Sequence, residues 1–207
     1  MPFIDDVAIA NMALSHVGTD SEIESLTEKS TEAAQCLIWY DPSRRQVLAT
    51  HDWGFARRRV TLALHGDVIS ETALDPLAGV WGFRYIYPDD CIKARKIQNP
   101  NAPPDDLTPF NIETSLSGQQ KTILTNIEDA VLVYTFDQEG TELFAPMFVQ
   151  ALSHLLASQI SFSLTGNRKI KLEQFSLYRG VLTSAAVEDI NEGVEPPVRD
   201  ADWIRGR

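Results

Sequence analysis

The sequence predicts an α+β protein: a four-helix bundle with an antiparallel β-domain inserted between helices 2 and 3, and an extended C-terminal tail. Three observations carry this. Apolar residues recur at helical spacing near both ends of the chain, whereas from Arg57 to Asp137 they alternate or cluster as β-branched and aromatic runs. The third is the stretch after Asp189, with Pro196-Pro197, mixed charge and the lone aromatic Trp203. Neither terminal helix pair can bury its apolar faces alone, so the two are expected to pack together with the strands looped out between them. The expected boundaries are 1–56 and 141–190 for the helical domain, 57–140 for the β-domain and 191–207 for the tail.

The first helix is expected from about Asp6 to His16, capped by Asp5 or Asp6 and stopped at Gly18. Val7, Ala10, Leu14 and Val17 form its stripe. A second helix should start after Ser30, with a kink or restart near Asp41 because Pro42 falls inside the pattern. In the middle block, Val60, Leu62 and Leu64 alternate, as do Phe83, Tyr85 and Tyr87, and VLVYTF begins at Val131. Phe110 to Asn126 reads as a hairpin turning near Gly118, and the block has room for five to seven antiparallel strands. Phe144, Phe148, Ala151, Leu152, Leu155, Gln159 and Phe162 then step by four and three, with Pro146 in the first turn and Gly166-Asn167 at the end. A basic link, Arg168 to Lys171, leads to a last helix marked by Phe175, Tyr178, Leu182 and Ala185, packed antiparallel on the third.

Composition narrows the function classes. The 207 residues are 43% hydrophobic, enough for a core. Eighteen Lys and Arg against 29 Asp and Glu leave a net charge of −11, opposite to that of a protein that grips nucleic acid by its phosphates. Cys36 and Cys91 have no CxxC spacing, so neither a disulfide framework nor a zinc site is expected. The N-terminus is acidic where a signal peptide needs a basic start, and the most apolar stretch, Ala145 to Leu156, is interrupted by Gln150, Ser153 and His154. No membrane partner and a cytoplasmic site of synthesis are expected.

No strong catalytic motif stands out. His16, His51, His65 and His154 lack HxxxH or HExxH spacing and read as helix-end or surface residues. Cys36 reads as a buried structural thiol, and no serine sits in a GxSxG elbow. Paired acids such as Asp89-Asp90 do not by themselves make the two carboxyls of a glycosidase. The expectation is therefore of a protein that is not an enzyme and takes no cofactor or metal. Arg57-Arg58-Arg59, with Arg44 and Arg45 upstream, is the densest basic cluster. With Trp53 and Phe55 it forms a candidate subunit interface, one that suits an acidic protein surface better than DNA.

Five stretches carry a resemblance: Ile9 to Gly18, Thr31 to Arg59, Tyr85 to Ile97, Thr122 to Asn126 and Phe144 to Ser161. Together they resemble the head-to-tail adaptors of short-tailed bacteriophages, the tail tubular protein A family, over nearly the whole chain. Most specific is a tyrosine-containing helix followed by a His-(Pro/Asp)-Trp-x-Phe-Ala turn into arginines, here His51-Asp52-Trp53-Gly54-Phe55-Ala56. The family often has Pro-Trp-Asn there, so Asp52 and Gly54 are mild departures.

The resemblance implies a structural virion protein at the head–tail junction, assembled in the bacterial cytoplasm as a twelve-subunit ring. The implied partners are the portal protein, a tail nozzle of the tail tubular protein B kind, tail fibres and further copies of the chain. DNA would pass through the channel without specific binding. In this reading the tail residues Trp203, Ile204, Arg205 and Arg207 would bind the portal or a neighbouring subunit. The competing readings are a neck or head-completion connector of a long-tailed phage and, third, a virion-borne cell-wall glycosidase.

Overall fold

The structure, a computed structural model, describes residues 4–66, 69, 77–99, 108–115 and 117–192, with side chains to 185 in the last segment. Two compact units divide the chain: Met1–Arg57 with Thr135–Ile190, and a second built on Arg58–Tyr134.

The first unit holds α1 (Asp6–Val17), α2 (Thr31–Thr50), α3 (Pro146–Thr165) and α4 (Arg168–Glu192). Local chemistry sets the ends of α1: the Asp5 carboxylate accepts from the Ala8 N–H at 2.7 Å, and Gly18 closes the helix at φ 81°. Between α1 and α2 the chain is pinned by Asn11, whose side-chain amide both donates to the Ile23 carbonyl and accepts from the Ile23 N–H, each at 2.9 Å. Ser30 then caps α2. Small residues line the seam where α1 and α2 meet α3: Ala10, Ala13, Ala33, Cys36 and Ala157 sit among Leu14, Val17, Leu156 and Ile160.

The second unit holds β1 (Arg57–Thr61), β2 (Phe83–Ile86), β3 (Cys91–Gln98), β4 (Phe110–Thr114), β5 (Lys121–Thr125) and β6 (Val131–Phe136), the ends of β1 and β6 reaching the first unit. They form two three-stranded antiparallel sheets, ordered β1-β6-β3 and β2-β5-β4. The β4–β5 hairpin pairs Thr114 with Lys121 and turns through Gly118 at φ 74°, where a side chain would be strained.

This corrects the predicted architecture. The strands are not one antiparallel β-domain inserted between helices 2 and 3 of a bundle; they divide between two sheets, and α3 and α4 follow those sheets. Periodicity marks which residues are extended but not which strands pair. Here β6 returns to lie between β1 and β3, while β5 takes the centre of the other sheet. Nor do the helices share the core equally. α3 is buried nearly all round, whereas α4 buries Gln174, Tyr178 and Ala185 among its described side chains.

Smaller expectations also change. α2 runs without a restart through Pro42. Arg168 to Lys171 is not a link but the first turn of α4. Phe162, predicted on the core stripe, is 51% exposed. α4 continues to Glu192, so residues 191 and 192 are helical rather than extended. The remainder of the expected tail, including Trp203, Ile204, Arg205 and Arg207, lies outside the described residues.

Candidate functional site

The residues singled out in the sequence fall at the C-terminal end of α2 and the corner that follows it. Trp53 is 4% exposed, and its indole N–H donates to the Val47 carbonyl at 2.9 Å. Its ring meets Phe148 of α3 edge-on at 5.2 Å, and Phe55 packs on the same phenylalanine at 5.1 Å and on Phe144 at 5.7 Å. Phe144 and Phe148 complete the box at 4.5 Å, while the His51 ring stands against Trp53 at 5.0 Å. The His-Asp-Trp-Gly-Phe-Ala turn is thus an aromatic clasp fastening the end of α2 onto α3. Trp53 lies in the core; Phe55 is half-buried.

Arg44 is also inside, at 2% exposed. Its Nη1 donates to Asp137 Oδ1 and to the Gln138 carbonyl, both at 2.6 Å, while Nε and Nη2 reach Asp41 Oδ1 at 3.2 and 2.5 Å. Arg45, on the outer side, closes the network by pairing with both Asp41 and Asp137. Burial opposes the Arg44 charge, but hydrogen bonds and the field of the two carboxylates outweigh it and raise its pKa. Two cations and two anions therefore neutralise one another across 93 residues of sequence, tying α2 to the chain that leads into α3. Next to them an acidic cleft of about 530 Å3 is lined by Asp5, Asp6, Asp41, Glu139 and Glu142.

The three successive arginines take separate partners. Arg57 pairs with Asp52 at 2.9 Å. Arg58, in the second unit, pairs with Asp90 at 2.7 Å, and the Tyr134 hydroxyl donates to the same carboxylate at 3.0 Å. Asp90, one of the paired acids noted in the sequence, is thus engaged by an arginine and a tyrosine. Arg59 is exposed with no ion pair among the described residues.

A polar cluster that the sequence did not announce lies where α1, α3 and α4 meet. The His16 and His154 rings stack at 4.3 Å, and His154 is 7% exposed, inside the fold rather than at a surface or helix end. His154 Nδ1 is 2.8 Å from Gln174 Oε1, so that nitrogen carries the proton; the Gln174 amide in turn donates to the His16 carbonyl. Ser153 Oγ lies 3.3 Å from His16 Nε2 but donates to the Gln150 carbonyl at 2.9 Å, and among the described residues no carboxylate contact orients the ring. Burial first, and then the neighbouring His154, holds the His16 pKa below its ordinary value. Two histidines 138 positions apart share no spacing signal; only the helix packing joins them.

Burial pushes the Cys36 thiol up to about 11 and that of Cys91 likewise, the opposite of a reactive cysteine. Among the described residues, no group of three His, Cys, Asp or Glu side chains is arranged to hold a metal. α3 is long and apolar enough to cross a membrane, but two thirds of that stretch is buried within the protein. No protein-family model and no curated protein matches the sequence.

Proposed function

We propose that this protein is a structural component of a short-tailed phage virion: a head-to-tail adaptor whose copies form a ring joining the portal to the tail nozzle, with tail fibres attached nearby. The observation that carries this reading is the aromatic clasp. The residues on which the family resemblance is most specific, Trp53 and Phe55, build a packed aromatic joint between the end of α2 and α3. Such a joint serves a part that must hold its shape within an assembly. The net charge of −11 supports the reading as well, because an acidic channel wall repels phosphates and lets DNA pass without gripping it.

Light scattering of the isolated protein, repeated with a short-tailed phage portal protein added, tests the proposal. The expected result is a complex of fixed stoichiometry that negative-stain microscopy shows as a ring on the portal; no binding at any ratio overturns it. A ring contact need only become favourable once the portal fixes neighbouring copies in place, so the isolated chain is expected to be monomeric. The tail is the proposed anchor. Trp203→Ala should weaken portal attachment by roughly 2 kcal/mol or more and leave the melting temperature unchanged.

A further inference from the structure

Two helices of the first unit carry apolar stripes that its core does not use. On α2, the adjacent Leu37 and Ile38 are 52% and 57% exposed, and the exposed Ala34 lies one turn before them. On α4, Leu172, Phe175, Ser176, Arg179, Gly180 and Thr183 line a shallow groove of about 350 Å3. Their spacing of three and four places them along one side of the helix.

The two stripes differ in relief. α2 presents a ridge, two branched aliphatic side chains standing out together. Along α4 the side chains shrink from Leu172 and Phe175, 71% and 40% exposed, to Ser176 and Gly180. A Cβ added at Gly180 would meet nothing within 4 Å, so the helix backbone there is open to close approach. The hydroxyls of Thr183 and Ser184 turn back onto the carbonyls of Arg179 and Gly180 rather than outward.

Charge divides the same way. Arg168, Lys169, Lys171 and Arg179 are exposed on α4 and make no ion pair among the described residues; Glu173 is the carboxylate among them. The segment entering α2 has the opposite balance in sequence, with Asp20, Glu22, Glu24, Glu28 and Glu32 against a single Lys29. One chain of net charge −11 thus carries an apolar ridge, preceded in sequence by an acidic stretch, and an apolar groove beside exposed cations. Two unlike, complementary faces on one protomer define a head-to-tail contact between copies.

We infer that the α2 ridge, Leu37 and Ile38, of one copy seats in the α4 groove over Ser176 and Gly180 of the next. This names the contact between copies in the ring proposed above and rests on that reading. A ridge of about one turn on a groove of about three turns is small beside the ~1,200 Å2 at which stable interfaces begin, so the contact is weak between isolated chains and gains from a template or from ring closure.

Disulfide trapping reads a weak contact directly. In a Cys91→Ser background, where the remaining Cys36 is fully buried, Ile38→Cys and Gly180→Cys are made separately and oxidised alone and mixed. The mixture should give disulfide-linked heterodimer at about tenfold the yield of either homodimer, and the double variant a ladder of head-to-tail oligomers. Arg179→Glu should lower the heterodimer yield. Homodimers equal to or exceeding the heterodimer overturn the assignment. So does protection of Gly180→Cys from a thiol reagent that is lost when the chain is cut after residue 192, since residues 193–207 would then occupy the groove. The same samples, imaged with portal protein, separate the two readings. Rings on the portal without the cross-link remove this contact and leave the adaptor; the cross-link without portal attachment does the reverse.

Discussion

α3 and α4 are neighbouring helices of similar length with opposite places in the fold. α3 buries Phe148, Leu152, Leu155 and Leu156 and also Ser153, His154, Ser158 and Ser161, so nearly its whole circumference lies inside. α4 leaves Leu172, Phe175 and Leu177 in contact with solvent. Apolar spacing does not separate them, since both show residues stepping by three and four. Charge content does. From Pro146 to Thr165 there is no Asp, Glu, Lys or Arg, whereas α4 carries five charged side chains by Arg179. A helix without charge on any face can be the centre of a unit; one that carries Arg168, Lys169, Lys171, Glu173 and Arg179 must keep a face in water.

Removing bulk at the centre should have the largest effect. Phe148 is fully buried and touches Trp53, Phe55 and Phe144, so Phe148→Ala opens a cavity where α2 is fastened. The expected loss is about 3–5 kcal/mol in denaturant unfolding. A loss near 1 kcal/mol would mean that the clasp closes over the gap and that the joint is not rigid.

The charge network gives the next effect. Arg44→Ala strips its partner from Asp137, whose carboxylate is 11% exposed, and should cost about 3 kcal/mol. Arg45→Ala removes the exposed member of the same network, 56% accessible, and should cost under about 1 kcal/mol. Equal losses would show that Arg45, not the buried arginine, holds Asp137.

A smaller, pH-dependent effect belongs to the histidine pair. The folded protein holds His16 below its ordinary pKa near 6.5, so the unfolded chain takes up the proton more readily. Stability is therefore full above that value and falls as the pH drops through it. Melts between about pH 7.5 and about pH 5.5 should show this decline, and His16→Asn should flatten it. An unchanged slope in the variant would place the titration elsewhere.

Much of this fold could be read from local chemistry, and the rest could not, for identifiable reasons. Asp5, Gly18, Ser30, Pro146 and Gly166 mark helix ends because capping is decided within a few residues. Pairing of β6 between β1 and β3 is decided by contacts far apart in sequence, and a one-domain reading of the strands failed there. The runs VLVYTF and TILT do not alternate because β6 and β5 are central strands buried on both faces. At the candidate site, His51 to Ala56 was recognisable as a distinctive turn, but the core position of Trp53 and Arg44 was not. Trp53 faces inward because Phe148 meets it from a helix nearly a hundred positions on, and Arg44 because Asp137 does.

The smallest effect on stability sharpens the comparison most. Leu172 is 71% exposed, so exchanging it for serine removes little apolar contact and creates no cavity. Leu172→Ser should stay within about 0.5 kcal/mol of the parent protein in denaturant unfolding, while Leu152→Ser on α3 buries a hydroxyl in the core and should cost several times more. The same Leu172→Ser exchange should nonetheless lower the Ile38–Gly180 cross-link, because the leucine borders the groove that the neighbouring ridge fills. Stability unchanged and cross-linking reduced means that α4 keeps its apolar side chains for another copy of the chain. If instead Leu172→Ser unfolds the protein as readily as Leu152→Ser, the outer face of α4 is covered within its own chain. The contrast between the two helices would then disappear.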